Sequence, residues 1–404
     1  MAGAAGRHDA VEKRQGTGDS HRVRPDELEP ESGGRASHLE RQGAYPYRDP
    51  EYRPYLGRLM TRRCARHARH VQPWFSTEGG RAERGASLVE LMFGLAISMI
   101  VTAAGYTVLA SGEKTAQIND QTVELQQNGR IAIELISQDL KAAGFGMNGT
   151  IGTCNNAIVP ADNAPTGADT GSDSFSVAVP TNLSTLAAAA TGTVSTITLV
   201  SGAVAAMAPD GFGTASTISV GGIHTSTVSA ISGDVLTLGT SIAAPAVYQA
   251  GTQVYWLRCI TYDIATTTAL CSGLTPCLRR GGVPITEGIE DIQMAYACDG
   301  CTGTGVPDGV VDDQNASGTF DASDFISNSA WTTSPMTPDT IRLVRVTVVA
   351  RQTRSDLDWK GTSPTTVEDH NPTSDSGYNA SDYSKIRRRI VTRTIQLRNV
   401  GLGS

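Results

Sequence analysis

Histidine is scarce in this 404-residue chain: of seven, only His224 and His370 lie beyond residue 85. No H-E-x-x-H zinc signature, G-x-S-x-G nucleophile elbow, phosphate loop or dinucleotide fingerprint occurs. No residues stand at catalytic spacing, so the chain reads as a non-enzyme. Positive charge is also short over most of the chain. Residues 1–85 hold 16 Lys and Arg against 12 Asp and Glu, which leaves 17 against 28 for the remainder. Phosphate backbones are bound by clustered Lys and Arg, so no specific nucleic-acid partner is expected. The triplet Arg387–Arg389 reads as a solvated strand edge, where charge discourages strand-to-strand aggregation. No clean repeat period is visible. Residues 1–59 lack hydrophobic periodicity and have the composition of a linker or disordered segment.

One stretch lacks charge altogether. From Leu91 to Gly112 there is no Asp, Glu, Lys or Arg. A bilayer-spanning helix needs about 20 apolar residues, and this run suffices. Basic residues before it and an acidic body after it fit a cytoplasmic N-terminus. Glu90 sits at the mouth of the run, where a carboxylate is costly in lipid and calls for a partner.

The run follows Arg84-Gly85-Ala86-Ser87-Leu88-Val89-Glu90. At these residues the chain resembles the type IV pilins and pseudopilins, whose precursors carry a Gly, a cleavage point, a methylated first residue and a Glu at the fifth mature position. The resemblance implies cleavage after Gly85, N-methylation of Ala86 and an assembly carboxylate at Glu90. Ala86 departs from the Phe usual in the family, whereas cleavage depends mainly on the Gly. An ordinary signal anchor is the plainer alternative. Residues 1–85 then form a leader. Because such leaders are short, Met60 is the expected start, giving 26 residues with Arg62, Arg63, Arg66, Arg69, Arg81 and Arg84. A genuine cytoplasmic extension over 1–59 is the other option.

Beyond the run the helix is expected to continue. Ile118, Leu125, Ala132, Ile136 and Leu140 recur at steps of seven or four, with Ile133 and Leu135 beside them, and Gly144 and Gly146 supply a stop. From Ala86 to Gly144 such a helix is about 88 Å long. Residues 86–112 would sit in lipid or a filament core, and 113–146 would pack on a globular domain. Gly94, Gly105, Gly112 and Gly129 each weaken the helix relative to Ala. The segment from Leu125-Gln126-Gln127-Asn128-Gly129-Arg130 to Asp139-Leu140-Lys141-Ala142-Ala143-Gly144-Phe145 narrows the resemblance to the PilW family of minor pilins. The J-type minor pseudopilin of type II secretion is the related alternative.

Residues 147–404 read as a β-rich domain. Runs at 174–179, 196–200, 217–220, 234–238 and 253–257 alternate or are β-branched, and Gly, Pro, Asp or Asn punctuates them. The Ala- and Thr-rich stretch 185–192 reads as a surface excursion. Strands are also expected at 259–264, around 278–280, across 285–296, at 340–351 and at 389–399, with a polar linker over 352–384. The stretches 285–296 and 387–399 resemble PilW chains more loosely. The resemblance implies an α+β, type IV pilin-like fold: a long N-terminal helix, membrane-spanning in its first half, packed on an antiparallel β-rich domain.

Cys64 lies before the junction; Cys154, Cys259, Cys271, Cys277, Cys298 and Cys301 lie after it. An even number beyond a membrane span suggests disulfides in an oxidising compartment. Spacing does not settle connectivity; the working pairing is Cys271 with Cys277, Cys298 with Cys301, and Cys154 with Cys259. A four-cysteine zinc site competes, although the five residues between Cys271 and Cys277 exceed the usual knuckle spacing. The loop 303–329 is acidic. Its carboxylates suit calcium, with Asp308, Asp312 and Asp313 as ligands, though the spacing of a helix–loop–helix calcium site is missing. A solvated loop without metal or any other cofactor is the simpler expectation.

Together the resemblance implies a minor pilin processed by prepilin peptidase and acting in initiation of a type IV pilus near its tip, with adhesion, motility or DNA uptake as outputs. Its partners would be other minor and major pilins, the peptidase, the inner-membrane assembly platform and the membrane. It would reside in the inner membrane before assembly and in the pilus or at the cell surface afterwards. A secretion pseudopilin and a ligand-binding tip adhesin are the alternatives.

Overall fold

The computed structural model describes residues 87–164, 169–273, 276–302, 305–361 and 363–400. Met60, Cys64, Gly85 and Ala86 lie outside the described residues, so the leader and cleavage expectations are not addressed by it.

The fold is α+β: a long apolar N-terminal helix packs on an antiparallel β-rich domain. Helix α1 spans Leu88–Ala142 and has 55 residues, about 82 Å of helix at 1.5 Å per residue. Ser87 starts it, its hydroxyl accepting the N–H of Val89 at 3.3 Å. None of its four glycines interrupts it. It stops at Ala142, and Gly144 follows with φ of +76°. A Cβ at Gly144 would stand 2.7 Å from that of Ala157, so the chain turns there only because a side chain is missing.

Strands β1 Ile158–Ala161, β2 Ser174–Thr185, β3 Ala190–Thr191 and β4 Val194–Thr198 come next. A short helix α2 at Ala203–Met207 precedes β5 Thr217–Val220, β6 His224–Ser232, β7 Val235–Ile242, β8 Val247–Tyr248 and β9 Gln253–Ala265. Then come β10 Cys277–Arg280, β11 Val283–Glu287, β12 Ile289–Cys298, β13 Ile341–Arg351, helix α3 Ala380–Ser384 and β14 Arg388–Gln396. The large sheet runs β1-β2-β9-β5-β6-β7-β4, all antiparallel. Strand β10 joins it on β9 and carries β11. A second sheet has the order β12-β13-β14, and β3 pairs with β8.

Two strands connect two cores. Phe175, Val177 and Val179 of β2, with Ile260 and Tyr262 of β9, belong to a core shared with α1 and the three-stranded sheet. Leu183 of β2, with Val254 and Trp256 of β9, belongs to a second core built on β4 to β7. The strand expectations agree with these elements. Strands β1, β3, β6 and β8 are additions, the Ser- and Thr-rich β6 because it carries little apolar signal, and the expected runs 253–257 and 259–264 are one strand, β9. Stretch 185–192 is only partly a surface excursion: Leu186 and Ala190 are buried in the second core, and the alanines between them are exposed.

Candidate assembly interface

The two halves of α1 have opposite surroundings. From Leu125 onward, Leu125, Gly129, Ala132, Ile133, Ile136, Ser137 and Leu140 are buried. They lie against β13 and β14, with β2, β11 and β12 beside them, and all the predicted apolar positions except Ile118 join this core. From Leu88 to Leu109 every residue of the helix is exposed. Thirteen large apolar side chains between Leu88 and Leu109 are exposed, Phe93 at 66% and Ile100 at 69%. Covering one such side chain is worth about 1.5–3 kcal/mol. Leaving all of them in water would cost on the order of 20–40 kcal/mol, more than the net stability of a typical domain. This segment is built to be covered. It is long and apolar enough to cross a membrane. Glu90 lies in its first turn and is exposed, where a carboxylate also complements the helix N-terminus.

Polar contacts tie the helix to the domain at Lys114, Glu134 and Asp139. The Tyr262 hydroxyl donates to Asp139 Oδ2 at 2.6 Å, and Arg280 Nε donates to the same oxygen at 2.7 Å. Burial, with the Asp139 charge beside it, raises the Tyr262 pKa well above its ordinary value. Arg393 of β14 reaches Glu134 at 2.5 Å, and Lys114 pairs with Asp358.

A cleft of about 930 Å³ opens between the middle of α1, at Gln121, Thr122 and Leu125, and the segment after β13. That segment was expected to be a polar linker, yet it folds over the sheet and buries Gln352, Val367 and His370. The arginines 387 and 388 are not a solvated edge. Arg387 pairs with Asp356 at 3.0 Å and stacks over Trp359. Arg388 makes a two-pronged contact with Glu290, at 2.5 and 2.9 Å, and covers Tyr383. Arg389 alone of the three is exposed. His370 lines the cleft. Burial opposes its charge, but hydrogen bonds to Asp291 at 2.8 Å and Asp375 at 2.7 Å prevail and carry its pKa up to about 9. With both ring nitrogens on carboxylates, it has none left to activate a nucleophile.

The six cysteines are joined as Cys154–Cys259, Cys271–Cys277 and Cys298–Cys301, the working pairing, with Cα separations of 5.4, 5.7 and 5.9 Å. None of them offers a free thiolate to zinc. The acidic loop spends its carboxylates on its own backbone. Asp312 accepts the N–H groups of Cys301 at 2.8 Å and Thr302 at 3.0 Å, and so organises the turn at the third disulfide. Asp313 accepts those of Ser317 and Gly318, and Asp308 that of Val310. The structure does not gather Asp308, Asp312 and Asp313 around one point.

A different set of carboxylates does converge. Oxygens of Asp162, Asp169 and Asp369 lie within 4.8 Å of one another. Burial, and then the charges of Asp369 and Asp162, push the Asp169 carboxyl up to about 6. Burial likewise pushes neighbouring Asp173 up to about 8, against hydrogen bonds from the N–H groups of Met294 and Asn163. Asp162 and Asp169 are seven residues apart in an irregular segment, and Asp369 is far along the chain. Sequence spacing carries no signal for such a group.

Residues 262–399 match the model of the protein family described as PilW, type IV pilus-assembly protein W. The match begins near the end of β9 and takes in the three-stranded sheet on which α1 rests. No curated protein and no solved structure matches the chain.

Proposed function

We propose that this chain, a PilW-like type IV pilus protein involved in pilus assembly, is a minor pilin that enters the filament through the exposed half of α1. The observation that carries this reading is the division of α1: one half is anchored on the sheet of the matched region, and the other is apolar and uncovered. In the membrane, lipid covers it. In a filament, the same surface is covered by neighbouring helices, so transfer between the two keeps the apolar side chains out of water throughout. The precursor is cut after Gly85, which frees the amine of Ala86. Glu90 then needs a cationic partner in a core of low dielectric, and the amine of a neighbouring subunit has the right charge and depth. The β-rich domain remains outside the helical core, near the tip, where it contacts other pilins. Family similarity to a pilus-assembly protein favours the pilus over the secretion machine. We infer no catalytic role, in keeping with a His370 whose nitrogens are both engaged.

Mass spectrometry of the N-terminal peptide from envelope-purified protein tests the reading. A peptide beginning at methylated Ala86, lost when prepilin peptidase is absent, is the expected result; an intact leader or a cut elsewhere refutes it. Glu90→Ala is expected to leave processing intact and to reduce incorporation into sheared pili, as read by immunoblot. Mutant subunits present in normal amount would show that the carboxylate is dispensable.

A further inference from the structure

We propose that Asp162, Asp169 and Asp369 form a binding site for one calcium ion. The three come from different parts of the chain. Asp162 follows β1, Asp169 lies in the segment leading to β2, and Asp369 precedes His370 in the segment between β13 and β14. Their oxygens lie within 4.8 Å of one another, the span that ligands on opposite sides of a calcium ion cover at about 2.3–2.6 Å each.

Asp169 is the observation that points to a ligand. It is 0% exposed, and neither of its carboxylate oxygens has a hydrogen-bond partner. A buried carboxylate with no donor is strongly disfavoured unless a cation meets it. Among the described residues, no Lys or Arg forms an ion pair with any of the three. His370 bonds Asp291 and Asp375 rather than these carboxylates, and only its charge, not a hydrogen bond, reaches Asp169. Asp162 accepts the N–H groups of Ala164 at 2.8 Å and Ser329 at 3.0 Å, one on each oxygen, so each oxygen keeps a lone pair for a metal. The donor set is all oxygen and anionic, which selects a hard cation. Calcium accepts an irregular oxygen cage completed by water, whereas magnesium demands a strict octahedron, which three carboxylates from separate segments suit poorly. A bound ion would tie together the exit of β1, the segment around Ser329 and the segment that covers the three-stranded sheet.

The test uses the full-length chain in detergent micelles, stripped with EDTA and titrated with calcium chloride by calorimetry, with thermal unfolding in parallel. Wild type is expected to take up one calcium ion per chain and to melt at higher temperature when loaded. Asp169→Asn should lower the affinity by at least roughly tenfold, because ligand charge sets calcium affinity. In EDTA the same variant should melt no lower than wild type, since an unpaired buried charge is gone; this separates loss of a ligand from misfolding. Asp369→Asn, at a less buried ligand, is read by the same criteria. The double variant Asp308→Asn/Asp313→Asn should bind as wild type does. No uptake by wild type, full affinity in Asp169→Asn, loss in the loop double variant, or a response to magnesium alone would overturn the assignment.

Discussion

Single side chains decide how firmly α1 is held. In sequence, Asp139 adjoins Leu140, one of the apolar positions of α1. In the fold it is the shared acceptor for Tyr262 and Arg280, one on β9 and the other on β10. Both members of the ion pair are less than a quarter exposed. Removing the carboxylate strands a half-buried guanidinium and a buried hydroxyl. Asp139→Ala should therefore cost roughly 2–4 kcal/mol, less than a fully buried pair because some water reaches it. Chemical denaturation of the detergent-solubilised protein measures this, and a change below about 0.5 kcal/mol, typical of an exposed pair, would contradict it.

At the scale of the element, α1 and the sheet meet closely at Gly129. A Cβ there would touch Ala350 Cβ and Val391 Cγ2, each at 3.4 Å, which is ordinary contact with no room beyond. Gly129→Ala should be tolerated and gain up to about 1 kcal/mol from helix propensity. Gly129→Leu should force the helix off β13 and β14 and cost about 1–3 kcal/mol or more. The two variants are compared by their unfolding midpoints; equal midpoints would mean that the helix does not rest on the sheet here. Gly94, Gly105 and Gly112 have nothing within 4 Å, so packing within the subunit does not explain them. The strands were readable to differing degrees. Strand β13, Ile341–Arg351, is β-branched along most of its length and stood out. Strand β6, whose sequence is dominated by Ser, Thr and Ala, takes its place from β5 and β7 on either side.

Across the whole molecule, the two cores are bridged by β2 and β9, and the Cys154–Cys259 disulfide fastens the chain just after α1 to β9. Its sequence separation of 105 makes it the crosslink that restricts the unfolded chain most. By the chain-entropy estimate, a loop of that size is worth about 4.7 kcal/mol, against much less for the short loop of Cys298–Cys301. Cys154→Ala/Cys259→Ala should thus lower stability by roughly 2–5 kcal/mol, and Cys298→Ala/Cys301→Ala by less. Thermal unfolding under oxidising conditions orders the two, and the reverse order would refute the entropic account.

By itself the sequence determined whatever rests on local signals. Uncharged length marks a helix that needs a covering medium, steps of seven and four mark the face that packs, and β-branched runs mark most strands. The position of Glu90 at the mouth of the apolar run belongs to this class as well. The tertiary structure alone decided which polar residues meet. It turned Asp139 toward β9 and β10, folded the segment after β13 over the sheet, scattered Asp308, Asp312 and Asp313 onto separate backbone donors, and gathered Asp162, Asp169 and Asp369. The physical reason is that burial follows a periodic pattern along an element, whereas a polar contact depends on two or three groups converging from segments whose separation in sequence carries no period.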